Sequence, residues 1–170
     1  MKNFALSLYI LSLLGLPTLS MAQDFNTSPA ENEDAPIEIS ADGALEWHRQ
    51  DKQYIARGNA MATQQDKTIK ADILTANYES SEENDAQITN IIAEGNVIIT
   101  TATDTAYGDR GDYDVTKEIV TLTGDVKVLR DKNVLNGKKA VVNLKTGVSK
   151  MLGDSNGGRV TGTFYPSSSE

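Results

Sequence analysis

Apolar and polar residues alternate along most of this chain, and the alternation is organised around glycines. Ala60 and Ala62 follow Gly58 by two and four positions, Val97 and Ile99 follow Gly95, and Val126 and Val128 follow Gly124. Ala56 and Tyr54, Ala93 and Ile91, and Leu122 and Val120 precede the same glycines at the same offsets, as Met151 and Ser149 precede Gly153. The residues directly before the glycines, Arg57, Glu94, Thr123 and Leu152, are mostly polar. Apolar side chains at period two describe strands buried on one face, and the enrichment in Thr, Val and Ile agrees. No segment carries a sustained helical stripe. The pattern predicts many antiparallel strands of about 5 to 6 residues, with each glycine at a corner or bulge where the chain bends and passes from one sheet to the other.

The unit repeats. A glycine followed by a small polar or acidic residue recurs at Gly58-Asn59, Gly95-Asn96, Gly124-Asp125 and Gly153-Asp154, at spacings of 37, 29 and 29. Ala41, Ala71, Ala106 and Gly137 form a second marker, and seven residues beyond them stand His48, Tyr78, Tyr113 and Leu144. The extra length of the second unit falls in Glu79-Ser80-Ser81-Glu82-Glu83-Asn84-Asp85, which its composition marks as a loop insertion. A period near 30 indicates a supersecondary unit that buries its apolar face only by stacking on its neighbours. The fold class is therefore all-β: a twisted antiparallel jelly roll, or two-sheet open sandwich, built from repeats. A parallel β-helix, which also repeats, is the rival.

The termini lie outside this pattern. Lys2, an apolar run from Phe4 to Leu16, Pro17, and Ser20-Met21-Ala22 ahead of Gln23 read as a secretory signal peptide over residues 1–22. The run is shorter than the roughly 20 residues a spanning helix needs. Residues 23–35 are polar and acidic and read as a flexible arm. The β domain then occupies 36–166, and 167–170 form a tail. The chain has no cysteine, so an exported form folds by burial and backbone pairing alone. The formal charge of −8 argues against nucleic acid, which is bound through cations that neutralise phosphates.

Catalytic chemistry is not evident. His48 is the one histidine, and a lone imidazole without cysteine makes a poor zinc site. No nucleophile elbow and no phosphate-cradling glycine loop occurs. In Gly108-Asp109-Arg110-Gly111-Asp112-Tyr113-Asp114 three carboxylates lie close together, but their spacing is not that of a calcium loop. The run reads instead as a turn into a strand, with Asp112 and Asp114 outward and Tyr113 inward. The sequence thus gives no catalytic residue, no metal site and no cofactor.

Several segments together carry a resemblance. They are Pro36-Ile37-Glu38-Ile39-Ser40-Ala41-Asp42, Arg57-Gly58-Asn59, Glu94-Gly95-Asn96-Val97, Val120-Thr121-Leu122-Thr123-Gly124-Asp125-Val126, and the closing Gly158-Arg159-Val160-Thr161-Gly162-Thr163-Phe164-Tyr165-Pro166. Their order behind a signal peptide resembles the OstA-like domain family of lipopolysaccharide transport proteins, over roughly residues 35–166. That resemblance implies a V-shaped β-jelly roll in the periplasm, whose inner faces receive the acyl chains of lipid A. It implies head-to-tail homo-oligomers that bridge inner-membrane LptC-like and outer-membrane LptD-like partners. Ile37, Ile39, Ile99, Tyr113 and Val115 match inward positions of the family, and Val97, Leu122 and Val126 share their alternation, so these eight are the candidate lipid contacts. Ile37, Ile39, Val160 and Phe164 mark the terminal edges at which copies would join by strand addition. Because lipopolysaccharide and this chain are both anionic, binding is expected to rest on burial of acyl chains. Lys127, Arg130, Lys132, Lys138 and Lys139 are either local phosphate contacts or strand-edge charges that discourage aggregation. An inner-membrane-anchored relative of the same pathway and an adhesive β-repeat protein are the alternatives.

Overall fold

The computed structural model describes residues 35–81, 84–154 and 158–166. Ten strands run β1 (Glu38–Ser40), β2 (Ala44–His48), β3 (Gln53–Gln64), β4 (Lys67–Ser81), β5 (Asn84–Thr100), β6 (Asp104–Asp114), β7 (Ile119–Arg130), β8 (Asn133–Asn143), β9 (Ser149–Leu152) and β10 (Thr161–Thr163). All form one antiparallel sheet along β1-β3-β4-β5-β6-β7-β8-β10, with β2 also paired to β3 and β9 to β8. The sheet does not close on itself. The signal-peptide segment, nearly all of the arm and the tail 167–170 lie outside the described residues.

The sequence predicts short strands, whereas β3 to β8 are each 11 to 17 residues long. The glycines explain the difference. At Gly58, Gly95 and Gly124 the strand bends without ending, whereas at the fourth predicted corner β9 ends at Leu152, before Gly153. Arg57 pairs with Ile73 and Ala60 with Ala71, so Gly58 and Asn59 together oppose the single residue Asp72. Gly95-Asn96 does the same against Asp72 on β4 and Asp109 on β6. Gly124-Asp125 repeats it against Asp109 and Lys138. One extra residue on every second strand is a β-bulge, which sharpens twist and bends the strand. Aligned across six strands, the bulges form a continuous corner that folds the sheet into two leaves.

The corner demands its residues. Gly58, Gly95 and Gly124 have φ of 83°, 77° and 106°, and Asn59 and Asn96 have φ of 45° and 50°; glycine enters this region freely and asparagine more readily than most. A Cβ on Gly95 would collide with the Asp72 side chain, and one on Gly124 with that of Asp109. Asn59 Nδ2 donates to Asp42 Oδ2 at 2.9 Å, and Asn96 Nδ2 donates to Asp72 Oδ2 at 2.9 Å. This line also sets the repeat register. Ala41-Asp42, Ala71-Asp72, Gly108-Asp109 and Gly137-Lys138 are the equivalent pairs, so the third marker is Gly108, two residues beyond Ala106.

The first leaf holds β2, β9 and the segments of β3 to β8 on their side of the corner. The second holds β1, β10 and the remaining segments. The alternation around the glycines faces inward as predicted: Ala56, Ala60, Ala62, Ile91, Ala93, Val97, Ile99, Val120, Leu122, Val126 and Val128 are all buried. Leu74, Ile91, Leu122, Val97 and Val126 are the largest side chains fully enclosed, and no polar or charged side chain is buried among the described residues. Two further expectations are corrected. Gly108 to Asp114 lies wholly within β6, with no turn. The acidic insertion at Glu79 is strand on both flanks: Glu79 pairs with Gln87 and Ser81 with Asn84, which lengthens the β4–β5 hairpin, and residues 82–83 lie outside the described residues.

Candidate functional site

The corner closes one side of the space between the leaves, and the hairpins line the opposite side. At that mouth the second leaf contributes Ile37, Ala62, Thr63, Gln64, Lys67 and Ile69, and the first contributes Ile91 and Tyr113. They surround an apolar cleft of about 20 Å³, room for about one water molecule and far less than an acyl chain occupies. The leaves are therefore packed together at the corner and only narrowly parted at the mouth.

The eight candidate lipid contacts all belong to the inner faces, but they divide between these two environments. Val97, Leu122 and Val126, 1%, 0% and 2% exposed, are sealed beside the corner. Ile99 is buried further out, and Ile39 and Val115 are half-buried against the same core. Ile37 and Tyr113 line the cleft itself. Burial pushes the Tyr113 phenol above its ordinary pKa, and the Glu118 and Asp114 carboxylates push it the same way. Sequence reasoning missed Lys67 and Ile69, which lie on the second leaf and face Ile91 and Tyr113 across the cleft.

Lys67 has a counterpart across the mouth. Its Nζ lies 4.0 Å from Oε1 of Glu118, in the β6–β7 turn of the opposite leaf. Ion pairs within a leaf join neighbours. Arg130 holds Asp104 from the adjacent strand through two hydrogen bonds of 2.6 and 2.7 Å, and these, with one from Thr103, hold the Asp104 carboxyl below its usual pKa against the opposing effect of burial. Lys138 meets Asp125 and Arg110 meets Glu94 on adjacent strands. Lys117 meets Asp114 within a turn at 2.6 Å. Of the five cations proposed as phosphate contacts, Arg130 and Lys138 are thus already paired with carboxylates.

The three carboxylates of the Gly108–Asp114 run do not converge. Asp109 packs under Gly124, Asp112 accepts from Asn90 at 2.7 Å, and Asp114 accepts from Lys117. Among the described residues no group of three or more His, Cys, Asp or Glu side chains is placed to hold a metal ion. His48 lies on β2 with Nε2 2.8 Å from Glu46 Oε2.

The free edges differ in character. At the first edge Leu45 and Trp47 of β2 are exposed. Trp47 stacks on Tyr54 at 5.8 Å and donates from Nε1 to the Tyr78 hydroxyl at 2.9 Å, with the Arg49 guanidinium 4.2 Å above its ring. At the last edge Val160, Phe164 and Tyr165 are exposed beside β10. The edge positions singled out from sequence, Ile37, Ile39, Val160 and Phe164, do flank or form β1 and β10; β2 and β9 complete the two edges and were not foreseen.

A sheet folded along a line of bulges, apolar within, unclosed at both ends and empty of catalytic groupings among its described residues, defines a β-jelly-roll scaffold built around an inner apolar surface. Residues 38–148 match the family described as LptA/(LptD N-terminal domain) LPS transport protein, and the chain belongs to that family. In fold it is similar to the crystal structure of LptH, the LptA-homologous periplasmic component of the conserved lipopolysaccharide transport device from Pseudomonas aeruginosa. That match has a TM-score of 0.71 at 18% identity, covering 81% of this chain and 100% of the other. No curated protein matches the sequence.

Proposed function

We propose that this protein is a periplasmic carrier of lipopolysaccharide. It holds acyl chains of lipid A between its leaves and stacks head to tail into a bridge between inner-membrane LptC-like and outer-membrane LptD-like partners. The observation that carries the reading is the position of the cleft. An apolar opening lies opposite a bulged corner, so parting the leaves at the mouth exposes a continuous apolar surface without breaking backbone pairing within either leaf. Each methylene buried there contributes about 0.8 kcal/mol, so a chain of about a dozen carbons gives on the order of 10 kcal/mol gross, much of it offset by ordering and by displaced protein contacts. The sugars and phosphates stay in water at the mouth.

The free edges support stacking. Among the described residues both end the sheet and carry exposed apolar side chains. A heterologous contact between the two edges that does not close builds a filament.

Photo-crosslinking in cells tests the carrier reading. A photoreactive residue at Ile39 or Tyr113 is expected to give lipopolysaccharide adducts, whereas one at outward-facing Asp112 is not. Absence of adducts at both inward positions, with normal expression, would overturn it. Val160→Pro is expected to reduce oligomer mass in light scattering while leaving the monomer folded; unchanged mass would count against the strand-addition joint.

A further inference from the structure

We infer that Lys67 and Glu118 form a latch across the mouth, and that the Lys67 ammonium exchanges the Glu118 carboxylate for a phosphate on the head of the incoming amphiphile. The inference rests on the carrier reading and adds recognition of the charged head to it. Lys67 opens β4 on one leaf and Glu118 precedes β7 on the other, so the contact spans the leaves on the side opposite the corner. There it has the longest lever arm against opening. Both side chains are only about a fifth exposed, at 21% and 22%, so solvent screens this pair less than it screens Lys117–Asp114 or Lys138–Asp125.

Lys67 has a second relation to the site. Its side chain lines the apolar cleft beside Ile37, Ile69 and Tyr113. An aliphatic stem lying along apolar surface with its ammonium at the water boundary puts a cation where the head of a threaded chain has to stop. A phosphate there gains a charge-assisted hydrogen bond. Glu118 repels the same phosphate, so an anionic head has to displace the carboxylate to reach the ammonium. In the exchange the half-buried ammonium passes from one anion to another, and the released Glu118 carboxylate has to turn to water at the mouth, which is the cost the phosphate contact must exceed. The ligand class that satisfies cleft and latch together is an acyl-chained amphiphile carrying a phosphate at its head. Free phosphate lacks the tail, and a neutral lipid lacks the head.

The test compares the full-length protein with Glu118→Gln and Lys67→Gln, each checked for an unchanged strand spectrum and melting temperature within a few degrees. The probes are lipid A, lipid A with its phosphates removed, and inorganic phosphate. Glu118→Gln is expected to bind lipid A roughly threefold or more tightly than the parent, and Lys67→Gln to bind it weaker by a similar factor, in keeping with a partly screened ion pair. With dephosphorylated lipid A the opposed signs should vanish, because both variants merely release the latch. Inorganic phosphate alone should leave the melting temperature unchanged. Variants that shift lipid A binding in the same direction, or not at all, would overturn the exchange while leaving the carrier reading intact. A Lys67-dependent rise in melting temperature with inorganic phosphate alone would also overturn it, making the site a plain anion site. If the parent binds neither lipid, the carrier reading itself fails.

Discussion

The corner and the mouth are built from the same alternating strands, yet they have opposite mechanical characters. At the corner, aligned bulges bring Leu74, Val97, Leu122 and Val126 to between 0% and 2% exposure, and Asn–Asp pairs tie the bulged residues to their neighbours. At the mouth, Ile91, Tyr113 and Ile69 are buried too, at 2%, 5% and 7%, but Ile37 is only half-buried, a small cleft remains beside Tyr113, and the Lys67–Glu118 pair reaches across it at 4.0 Å. The folded sheet is thus held by backbone bulges at the bend and by side-chain packing alone at the rims, where the gap lies. A scaffold of this kind can keep its fold while its rims part.

The largest expected effect comes from emptying the corner. Leu122→Ala removes a fully enclosed side chain and should cost about 2 to 5 kcal/mol, whereas Ile37→Ala at the mouth should cost less than about 1.5 kcal/mol and yet lower lipid retention. Urea unfolding and lipid co-purification measure the two. Equal stability losses would erase the distinction between the regions.

Next in size is the bend itself. Gly95→Ala forces a Cβ into a left-handed backbone position and against Asp72, at a cost of about 1 to 3 kcal/mol. The same change at Gly111, whose φ is not positive, brings a Cβ to 3.3 Å from Val97 and tests crowding without backbone strain. A similar loss at both sites would show that close packing, and not the bulge conformation, sets the cost.

The smallest effect belongs to the Asp104–Arg130 pair at the hairpin end of the second leaf. Asp104 has a lowered pKa in the folded state, so its stabilisation by Arg130 is fully present above the ordinary carboxylate value of 3.8 and is lost as pH falls through the lower folded value. Asp104→Asn should cost no more than about 1 kcal/mol at neutral pH, and the difference from the parent should shrink as the medium is acidified below 3.8. A pH-independent difference would assign the effect to something other than the carboxylate.

How much of this was legible in the sequence follows from which features are local. Inward positions could be read because period two survives on each side of Gly58, Gly95 and Gly124, which stand at the bend. Strand length could not be read, because a bulge interrupts the side-chain alternation while backbone pairing continues through it. The acidic run from Glu79 looked like a loop for a related reason: its side chains suit solvent, but the hairpin there is extended by hydrogen bonds that are indifferent to side-chain type. The cleft was only half visible. Ile37 and Tyr113 belong to periodic patterns, but their meeting with Ile69 and Ile91 depends on how the leaves close. A single lysine at the start of a strand gives no periodic sign of what lies across the mouth. The edges divided in the same way: β1 and β10 were marked by their terminal place in the chain, whereas the Trp47–Tyr54–Tyr78 cluster on the β2 side needed the pairing of three strands to assemble.

The central claim is that the leaves part at the mouth to admit hydrocarbon. The chain has no cysteine, so Lys67→Cys with Glu118→Cys creates the only two thiols, on opposite rims. Joining them with a short bifunctional maleimide and measuring lipid A uptake tests the claim directly. The account predicts that the bridged protein takes up almost no lipid, while the double variant with each thiol capped separately still loads, within the few-fold change that losing Lys67 and Glu118 brings. Full loading of the bridged protein would contradict it.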